Sequence, residues 1–363
     1  MVKVVTIAKH TMATHSLLQR VLDHGVSIAE IASELSVASG TVKRWIDMKK
    51  TPRSYEMDLA RMLDEPMDYT KYSYSDKDQF FTLPETAKTC FETFCRVIRS
   101  HGDDPNDYHY IEPSAGDGVF LNLLPPGRRT GLDIEPRHPE VIAHDFLSWK
   151  PAAASAAKYV VIGNPPFGLR GNLALRFINA CVPYADYVCF ILPQLFESDG
   201  KGSTRKRVKL HLLHNEKLTC SDFQDPDRRP VKVECIFQIW SKHHVNPVYE
   251  RNNASEKSDV CDVYSLSDGG TPSSTRNKAK LQSCDVYLPS TCYGKDAMRA
   301  YESFEALPNR RGYGVVFRES DKKVELSRAC FEQVDWSEVA FHSTNSALNL
   351  RKSSIIERID DLV

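Results

Sequence analysis

The chain has 363 residues, 41% hydrophobic and 26% charged, an ordinary balance for a folded globular protein with more than one domain. Its 47 basic and 48 acidic side chains leave a formal net charge of -1, so contact with a polyanion requires local basic patches. The polar N-terminus does not match a signal peptide, and no apolar run approaches the ~18 residues of a membrane span. We therefore expect a cytoplasmic protein, or a nuclear one in a eukaryotic host.

The first predicted domain comprises residues 1–68 and consists of short helices. The segment SIAEIASEL (27–35) has a serine N-cap, a glutamate three residues later and apolar residues at helical spacing. After a brief turn, TVKRWI (41–46) predicts a second helix, and YEMDLARML (55–63) predicts a third. Two short helices joined by a tight turn are typical of a helix-turn-helix domain, and a small helical bundle used for protein contact is the alternative.

This domain resembles the phage-repressor-like helix-turn-helix family. The matching features are Ala32 in the first helix, the segment TVKRW (41–45) in the second helix, and Pro52 before the next helix. The resemblance implies that the second helix enters a groove of DNA and that the following basic residues lie near phosphates. The candidate groove residues are Ser39, Thr41, Lys43 and Arg44, and the candidate phosphate contacts are Lys49, Lys50 and Arg53.

The second predicted domain, residues 69–248, has the pattern of a doubly wound α/β sheet. It contains an amphipathic helix, TAKTCFETFCRVIRS (86–100), before the first strand. From residue 108 onward, apolar runs repeatedly end in polar loops that carry Gly or Pro, with helical segments such as LALRFINACV (173–182) between them. Ligands of such sheets bind at the loops that follow the strands.

Three of these loops carry side chains suited to one kind of ligand. The loop EPSAGDG (112–118) combines small residues, which let the backbone approach a ligand, with acidic groups for an amine or for sugar hydroxyls. Asp133 ends the next strand and suits ribose hydroxyls. Asp145 offers an acceptor beside Phe146, whose ring can lie on a purine. No loop has a phosphate-binding glycine motif, so the pattern predicts a nucleoside-bearing ligand without a pyrophosphate.

The fourth loop, GNPPFG (163–168), follows the apolar run 159–162 through a rigid corner. Its Asn164 side chain and its Pro165 carbonyl offer two acceptors that can hold one NH₂ group. Phe167 offers a flat face for the base that carries this group. A tight turn that merely caps the strand is the alternative.

In this order, the loops resemble the S-adenosylmethionine-dependent amino-methyltransferases of DNA, in particular adenine-N6 enzymes of the gamma motif order. The resemblance covers about residues 78–240 and is poor beyond them. Within it, QFFTLPE (79–85) is similar to the N-terminal cofactor motif, although Leu83 stands where the family commonly has Pro, and NPPF is similar to the catalytic motif. The resemblance implies a Rossmann-like methyltransferase sheet with S-adenosylmethionine as the cofactor. No CxxC pair is present, and we expect no metal.

The resemblance also implies the roles of individual residues. The implied cofactor-binding residues are Phe81, Thr82, Glu112, Pro113, Ser114, Ala115, Gly116, Asp117, Gly118, Asp133, Ile134, Asp145, Phe146 and Asn164. The implied catalytic residues are Asn164, Pro165, Pro166 and Phe167.

The activity implied is methyl transfer to the N6 amino group of adenine in DNA, after the base has rotated out of its stack. An RNA adenine-N6 enzyme, including the cap-adenosine type, is the nearest alternative, and an inactive DNA-binding regulator with the same fold is a more distant one. We expect DNA as the partner, with RNA as the alternative and no membrane; a protein partner or a homodimer stays open.

Two further regions bear on these expectations. The segment KGSTRKRVK (201–209) has five basic residues and no acidic one, which fits either phosphate contact or a solvated charge run. Its candidate nucleic-acid residues are Lys201, Arg205, Lys206 and Arg207. Residues 249–363 are predicted to form an α+β target-recognition or accessory region, which begins with a linker or long loop over 249–280. The tetrapeptide CDVY occurs twice, at 261–264 and 284–287, and we attribute this repeat to chance.

Overall fold

The structure of the chain is a computed structural model. It describes residues 14–35, 37–63, 72–74, 76–152, 158–198, 203–218, 223–250, 258–270, 275–318, 330–331, 333–342 and 347–362. Within these ranges, no helix has the length and apolar character needed to cross a membrane.

The described residues 14–63 include four short helices: α1 (14–23), α2 (Ile28–Glu34), α3 (Ser39–Asp47) and α4 (Glu56–Arg61). Helix α2 begins at Ser27 because the Ser27 hydroxyl accepts the Glu30 N–H, while the Glu30 carboxylate accepts the Ser27 N–H at 2.8 Å. The helices share one apolar core that contains Leu18, Ile31, Val42, Trp45, Tyr55 and Leu59.

The central sheet is built from seven strands. They are β2 (Tyr108–Glu112), β3 (Arg129–Asp133), β4 (Val141–Ala143), β5 (Lys158–Gly163), β6 (Tyr187–Pro193), β7 (His211–Lys217) and β10 (Cys235–Ser241). Their order is β4-β3-β2-β5-β6-β10-β7. All neighbouring pairs from β4 to β6 are parallel, whereas β10 runs antiparallel to β6 and β7. The α/β class predicted from the sequence is confirmed. The strand order reverses at β2 and β5, where sheets of this kind open a crevice.

Two helices cover opposite faces of this sheet. Helix α5 (Pro84–Ser100) buries Cys90, Phe94 and Ile98 in the same core as alternate residues of β2 and β5. Helix α6 (Asn172–Cys181) buries its apolar side in a second core, on the other face. A small three-stranded sheet lies above the strand ends, with β1 (Phe81–Thr82), β8 (Phe223–Gln224) and β9 (Pro230–Val231) in the order β1-β8-β9.

The N-terminal helices contact the helix that follows the GNPPFG loop. The Asn172 side-chain amide donates to the Glu34 backbone carbonyl at 2.5 Å, and Arg176 forms an ion pair with the Glu34 carboxylate at 2.8 Å. Asn172 and Arg176 both belong to α6, so the C-terminal end of α2 contacts directly the helix that follows the GNPPFG loop.

The C-terminal part contains two three-stranded antiparallel sheets. The first has the order β11-β14-β12, with β11 (Cys261–Ser267), β12 (Val286–Pro289) and β14 (Arg311–Phe317). The second has the order β13-β16-β15, with β13 (Thr291–Cys292), β15 (Phe341–His342) and β16 (Leu348–Asn349). This part also contains the α-helices α7 (Pro247–Glu250), α8 (Trp336–Val339) and α9 (Lys352–Asp360).

The predicted linker over 249–280 is wrong for Cys261–Ser267, which form β11. The strand buries Cys261, Val263 and Leu266, but Asp262, Ser265 and Ser267 between and after them lower its local hydrophobicity. The two CDVY segments lie on either side of β14. Val263 and Val286 both pair with Val315, and the tyrosines that follow them both pair with Gly314.

Candidate active site

The GNPPFG loop is attached to two other strand-end segments. The Asn164 side-chain amide donates to Thr82 Oγ1 at 3.2 Å, which connects the loop to β1. The Ser114 hydroxyl donates to the Asn164 backbone carbonyl at 3.0 Å, which connects it to the loop after β2. At the far end of the loop, the Gly168 N–H donates to Asp78 Oδ2 at 2.6 Å. These contacts fix the loop at both ends.

The Asn164 side-chain oxygen Oδ1 is shielded from solvent and has no hydrogen-bond partner among the described residues. A buried acceptor without a partner costs about 1–3 kcal/mol. The Thr82 contact holds the amide nitrogen, so it also fixes where the unsatisfied oxygen lies. A ligand with an N–H or O–H donor would satisfy it.

Two cavities meet at this side chain. The larger has an open volume of about 650 Å³. The smaller has an open volume of about 220 Å³. It is lined by Asp78, Phe80, Asn164, Pro165, Phe167, Phe223, Val233 and Cys235. Asp78, Phe80 and Asn164 line both cavities.

The floor of the larger cavity is shaped by the glycine-bearing turn after β2. Gly116 has φ +49°, and a Cβ placed on it would lie 3.0 Å from Phe81 Cε1. Its N–H donates to Asp133 Oδ2 at 2.8 Å, which joins the turn to the end of β3. A side chain at Gly116 would therefore strain the backbone and press on the Phe81 ring.

Asp133 is half-buried at the end of β3. Its two oxygens accept the N–H groups of Gly116 and Glu135, at 2.8 and 2.7 Å. Burial raises the pKa of Asp133, although the two backbone N–H groups act in the opposite direction. Each carboxylate oxygen has a second lone pair, so Asp133 can still accept from a ligand hydroxyl.

Glu112 is almost fully buried, at 1% exposure, beneath the same cavity. Its Oε2 accepts the Leu121 N–H at 2.6 Å. Burial raises the pKa of Glu112 well above its usual range, so this carboxyl group holds its proton to higher pH than an exposed glutamate.

Most of the predicted cofactor residues come together. Those that line the larger cavity are Phe81, Thr82, Glu112, Ser114, Ala115, Gly116, Asp117, Asp133, Ile134 and Asn164, together with the predicted catalytic residue Pro166. Pro165 and Phe167 line the smaller cavity. Pro113 and Gly118 are not among the lining residues, and Gly118 has φ +80° beside His138.

The structure does not bring Asp145 and Phe146 to either cavity. Phe146 is 2% exposed, and its ring centroid lies 5.1 Å from that of Phe177 on α6. The Asp145 carboxylate accepts the Leu147 N–H at 3.0 Å and closes a local turn.

Sequence reasoning missed several lining residues. Phe80 belongs to the QFFTLPE (79–85) motif but was not singled out, and Asp78 directly precedes that motif, whose position was the available signal. Burial raises the pKa of Asp78, while its hydrogen bond from Gly168 lowers it. Phe223 had no local signal, because it reaches the site through the pairing of Thr82 with Phe223 between β1 and β8.

The predicted nucleic-acid residues lie on two other surfaces. Ser39, Lys43, Arg44, Lys49 and Lys50 are exposed, Thr41 is half-buried, and Arg53 is exposed and forms an ion pair with Asp76. Lys206 and Arg207 are exposed. Arg205 instead donates to the Tyr249 carbonyl at 2.9 Å and covers the Tyr249 ring. Lys201 lies outside the described residues.

The part of the chain that the structure describes has no group of three or more His, Cys, Asp or Glu side chains placed to hold a metal ion. Acidic residues of the cavity form ion pairs with basic side chains or accept hydrogen bonds from backbone N–H groups. Asp117 pairs with Arg228 at 2.9 Å, and Glu135 pairs with Lys77 at 2.6 Å.

No protein-family model and no curated protein matches the chain. Among solved structures, it is similar to PH1948 from Pyrococcus horikoshii, a protein assigned as an RNA methyltransferase, with TM-score 0.35, 17% identity, and coverage of 51% of this chain and 98% of that one. A Thermoplasma acidophilum protein, 1320, gives TM-score 0.30, 16% identity and coverage of 44% and 85%. The 23S rRNA methyltransferase ErmE gives TM-score 0.30, 18% identity and coverage of 45% and 71%. These scores are too low to carry an argument, so the function is argued from the site.

Proposed function

We propose that the chain transfers a methyl group from S-adenosylmethionine to the N6 amino group of adenine in DNA. The observation that carries this proposal is the unsatisfied Asn164 Oδ1 at the junction of two cavities. An exocyclic NH₂ group supplies the donor that this oxygen lacks. A purely structural Asn-Pro turn would not need a buried acceptor without a partner, since such a group destabilises the fold.

The larger cavity fits S-adenosylmethionine. Its described lining holds five carboxyl groups. Two are paired, Glu135 with Lys77 and Asp117 with Arg228, and the other three offer oxygen acceptors to the ammonium and hydroxyl groups of a cationic nucleoside ligand. The carboxyl groups belong to Asp78, Glu112, Asp117, Asp133 and Glu135. Asp133 would accept from the ribose hydroxyls, and the Gly116 turn would leave room for the ligand beside Phe81. When bound, S-adenosylmethionine supplies an electrophilic methyl group.

The lining of the smaller cavity suits a flat heteroaromatic base. The rings of Phe80, Phe167 and Phe223 line it, and aromatic walls bind bases by stacking. Adenine N6 cannot be reached inside a duplex, so the base would have to rotate out of its stack to enter. Its amino group would then lie beside Asn164, which also lines the larger cavity.

In this arrangement, the protein acts by positioning. Asn164 Oδ1 and the Pro165 carbonyl would accept the two amino hydrogens, which directs the nitrogen lone pair away from them. Phe167 would hold the ring plane. The contacts from Thr82 and Ser114 keep the loop in this conformation before any substrate arrives. The amino proton can leave after methyl transfer, because the methylated nitrogen is acidic, so no strong base is needed.

The N-terminal helices support DNA as the partner. We propose that α2 and α3 form a helix-turn-helix unit in which Lys43 and Arg44, both exposed, face the nucleic acid. Lys206 and Arg207 would add phosphate contacts on the sheet domain. The hydrogen bond from the Asn172 side chain to the Glu34 carbonyl would hold this unit beside the GNPPFG loop.

The test is transfer of labelled methyl groups from S-adenosylmethionine to double-stranded DNA, single-stranded DNA, and capped and uncapped RNA, with Asn164→Ala as the control. We expect label in DNA that is lost in the variant. Label confined to RNA would reassign the substrate to RNA. Tight binding of S-adenosylmethionine with no transfer to any substrate would overturn the enzymatic proposal and favour a regulator.

A further inference from the structure

A recess on the C-terminal sheet shares no lining residue with the candidate active site. It has an open volume of about 760 Å³. Two arginines and several hydroxyl-bearing residues dominate its lining, which consists of Ser265, Leu266, Ser267, Arg276, Ser290, Arg311, Gly312 and Tyr313. We call it the arginine recess.

Strand register places the two arginines on one face. Ser267 pairs with Arg311 across β11 and β14, and it also pairs with Arg276 on its other side through an isolated antiparallel bridge. Directly paired residues project to the same face of a sheet, with Cβ atoms about 4.5–5.5 Å apart. Arg276 and Arg311 therefore flank Ser267 in a row. The neighbouring row on the same face is the pair Ser265–Tyr313.

The charges in this recess are unbalanced. Among the described residues, no carboxylate lines it, and neither Arg276 nor Arg311 has a carboxylate partner. The adjacent Arg310 differs, because it forms an ion pair with Asp268. Both recess arginines are exposed, so they are accessible from solvent. Two guanidinium groups flanking one hydroxyl repel each other unless an anion lies between them.

We propose that the arginine recess binds a phosphate group, held between the Arg276 and Arg311 guanidinium groups beside the Ser267 hydroxyl. The planar guanidinium fork matches two phosphate oxygens better than an ammonium does. Tyr313 forms a fixed wall, because its hydroxyl donates to the Leu350 carbonyl at 3.2 Å. The phosphate belongs either to a nucleic-acid strand, which rests on the proposed function, or to a free phosphate group.

The test uses the full-length protein with Arg276→Gln and Arg311→Gln combined, and with Arg310→Gln as the matched control. In the first arm, fluorescence anisotropy measures oligonucleotide binding over a range of salt concentrations. Each phosphate neutralised on duplex DNA contributes about 0.9 to the slope of log affinity against log salt, so we expect the double variant to lose at least about 0.9. In the second arm, calorimetry measures binding of inorganic phosphate.

A reduced slope in the double variant, with Arg310→Gln unchanged, assigns the phosphate to a nucleic-acid strand. Loss of inorganic phosphate binding alone assigns it to a free phosphate group. No change in either arm overturns the site. Methyl transfer by the wild type is measured in a separate assay, so a result against phosphate binding in the recess can be distinguished from a result against the proposed function.

Discussion

The loops that follow β4 and β5 were both predicted from the sequence to contact a ligand, but their side chains have different surroundings in the structure. The β5 loop places Asn164 between two cavities and leaves its side-chain oxygen without a partner among the described residues. The β4 loop buries the Phe146 ring against Phe177 and uses Asp145 to close a turn. The β5 loop therefore leaves the Asn164 oxygen available to a ligand, whereas in the β4 loop Asp145 and Phe146 contact other parts of the protein.

The difference arises outside the motifs. Phe177 belongs to α6, and the packing of this helix on the sheet decides whether the Phe146 ring faces a ligand or the core. Thr82, from the separate strand β1, accepts from the Asn164 amide nitrogen, so the Asn164 oxygen points elsewhere and has no partner in the part of the chain that the structure describes. A motif specifies residue types, and long-range packing specifies which of their atoms remain available.

The largest expected effect concerns the buried ring. Phe146→Ala should lower the free energy of unfolding by about 3–5 kcal/mol, because it leaves a cavity against Phe177. Chemical denaturation measures this loss. Phe146→Leu, which preserves most of the volume, should bind S-adenosylmethionine as the wild type does. A large loss of affinity in the folded Leu variant would instead place this ring on the cofactor.

The next effect concerns Asn164. Asn164→Ala should lower the rate of methyl transfer by on the order of 10²–10³, by analogy with the removal of one polar group that orients a reacting centre. The thermal midpoint should not fall below that of the wild type, since the substitution also removes a buried acceptor without a partner. Transfer at the wild-type rate by a well-folded variant would contradict the comparison between the loops.

A smaller effect is expected at the turn after β2. Gly116→Ala should lower the free energy of unfolding by about 1–2 kcal/mol, because the backbone at this position is left-handed. The added methyl group should also press on the Phe81 ring. We expect about tenfold weaker binding of S-adenosylmethionine by calorimetry. Gly127→Ala is the control, because Gly127 has φ +79° but nothing within 4 Å of its Cβ position. Equal loss of affinity in both variants would show that backbone strain alone is responsible.

The smallest effect is expected at Thr82. Thr82→Val removes the acceptor of the Asn164 amide with little change of shape. We expect the loss of this hydrogen bond to raise the activation free energy of methyl transfer by about 0.5–1.5 kcal/mol, which is at most about tenfold in rate. Thr89→Val serves as the control, since the exposed Thr89 hydroxyl only donates to the Glu85 carbonyl of its own helix. Steady-state kinetics that give the same rate for both variants would argue against a role for Thr82 in fixing the loop.

The sequence predicts those parts of the site that belong to one strand and its following loop. Gly116, Asp133 and Asn164 are of this kind, because an apolar run followed by a polar turn marks a strand end locally. Phe223 is not, since it reaches the site only by pairing with Thr82, which is distant in sequence. The same limit applies to β11, whose partners in β14 are needed before its polar, alternating sequence can be distinguished from a loop.

The measurement that tests the central claim most directly is the position of the transferred methyl group. DNA would be incubated with the protein and S-adenosylmethionine carrying a deuterated methyl group, digested to nucleosides, and analysed by mass spectrometry against synthetic standards. We expect the deuterated methyl group on adenine N6, and no such product with Asn164→Ala. A methyl group on a ring carbon, a ring nitrogen or the sugar, retained in that variant, would contradict it.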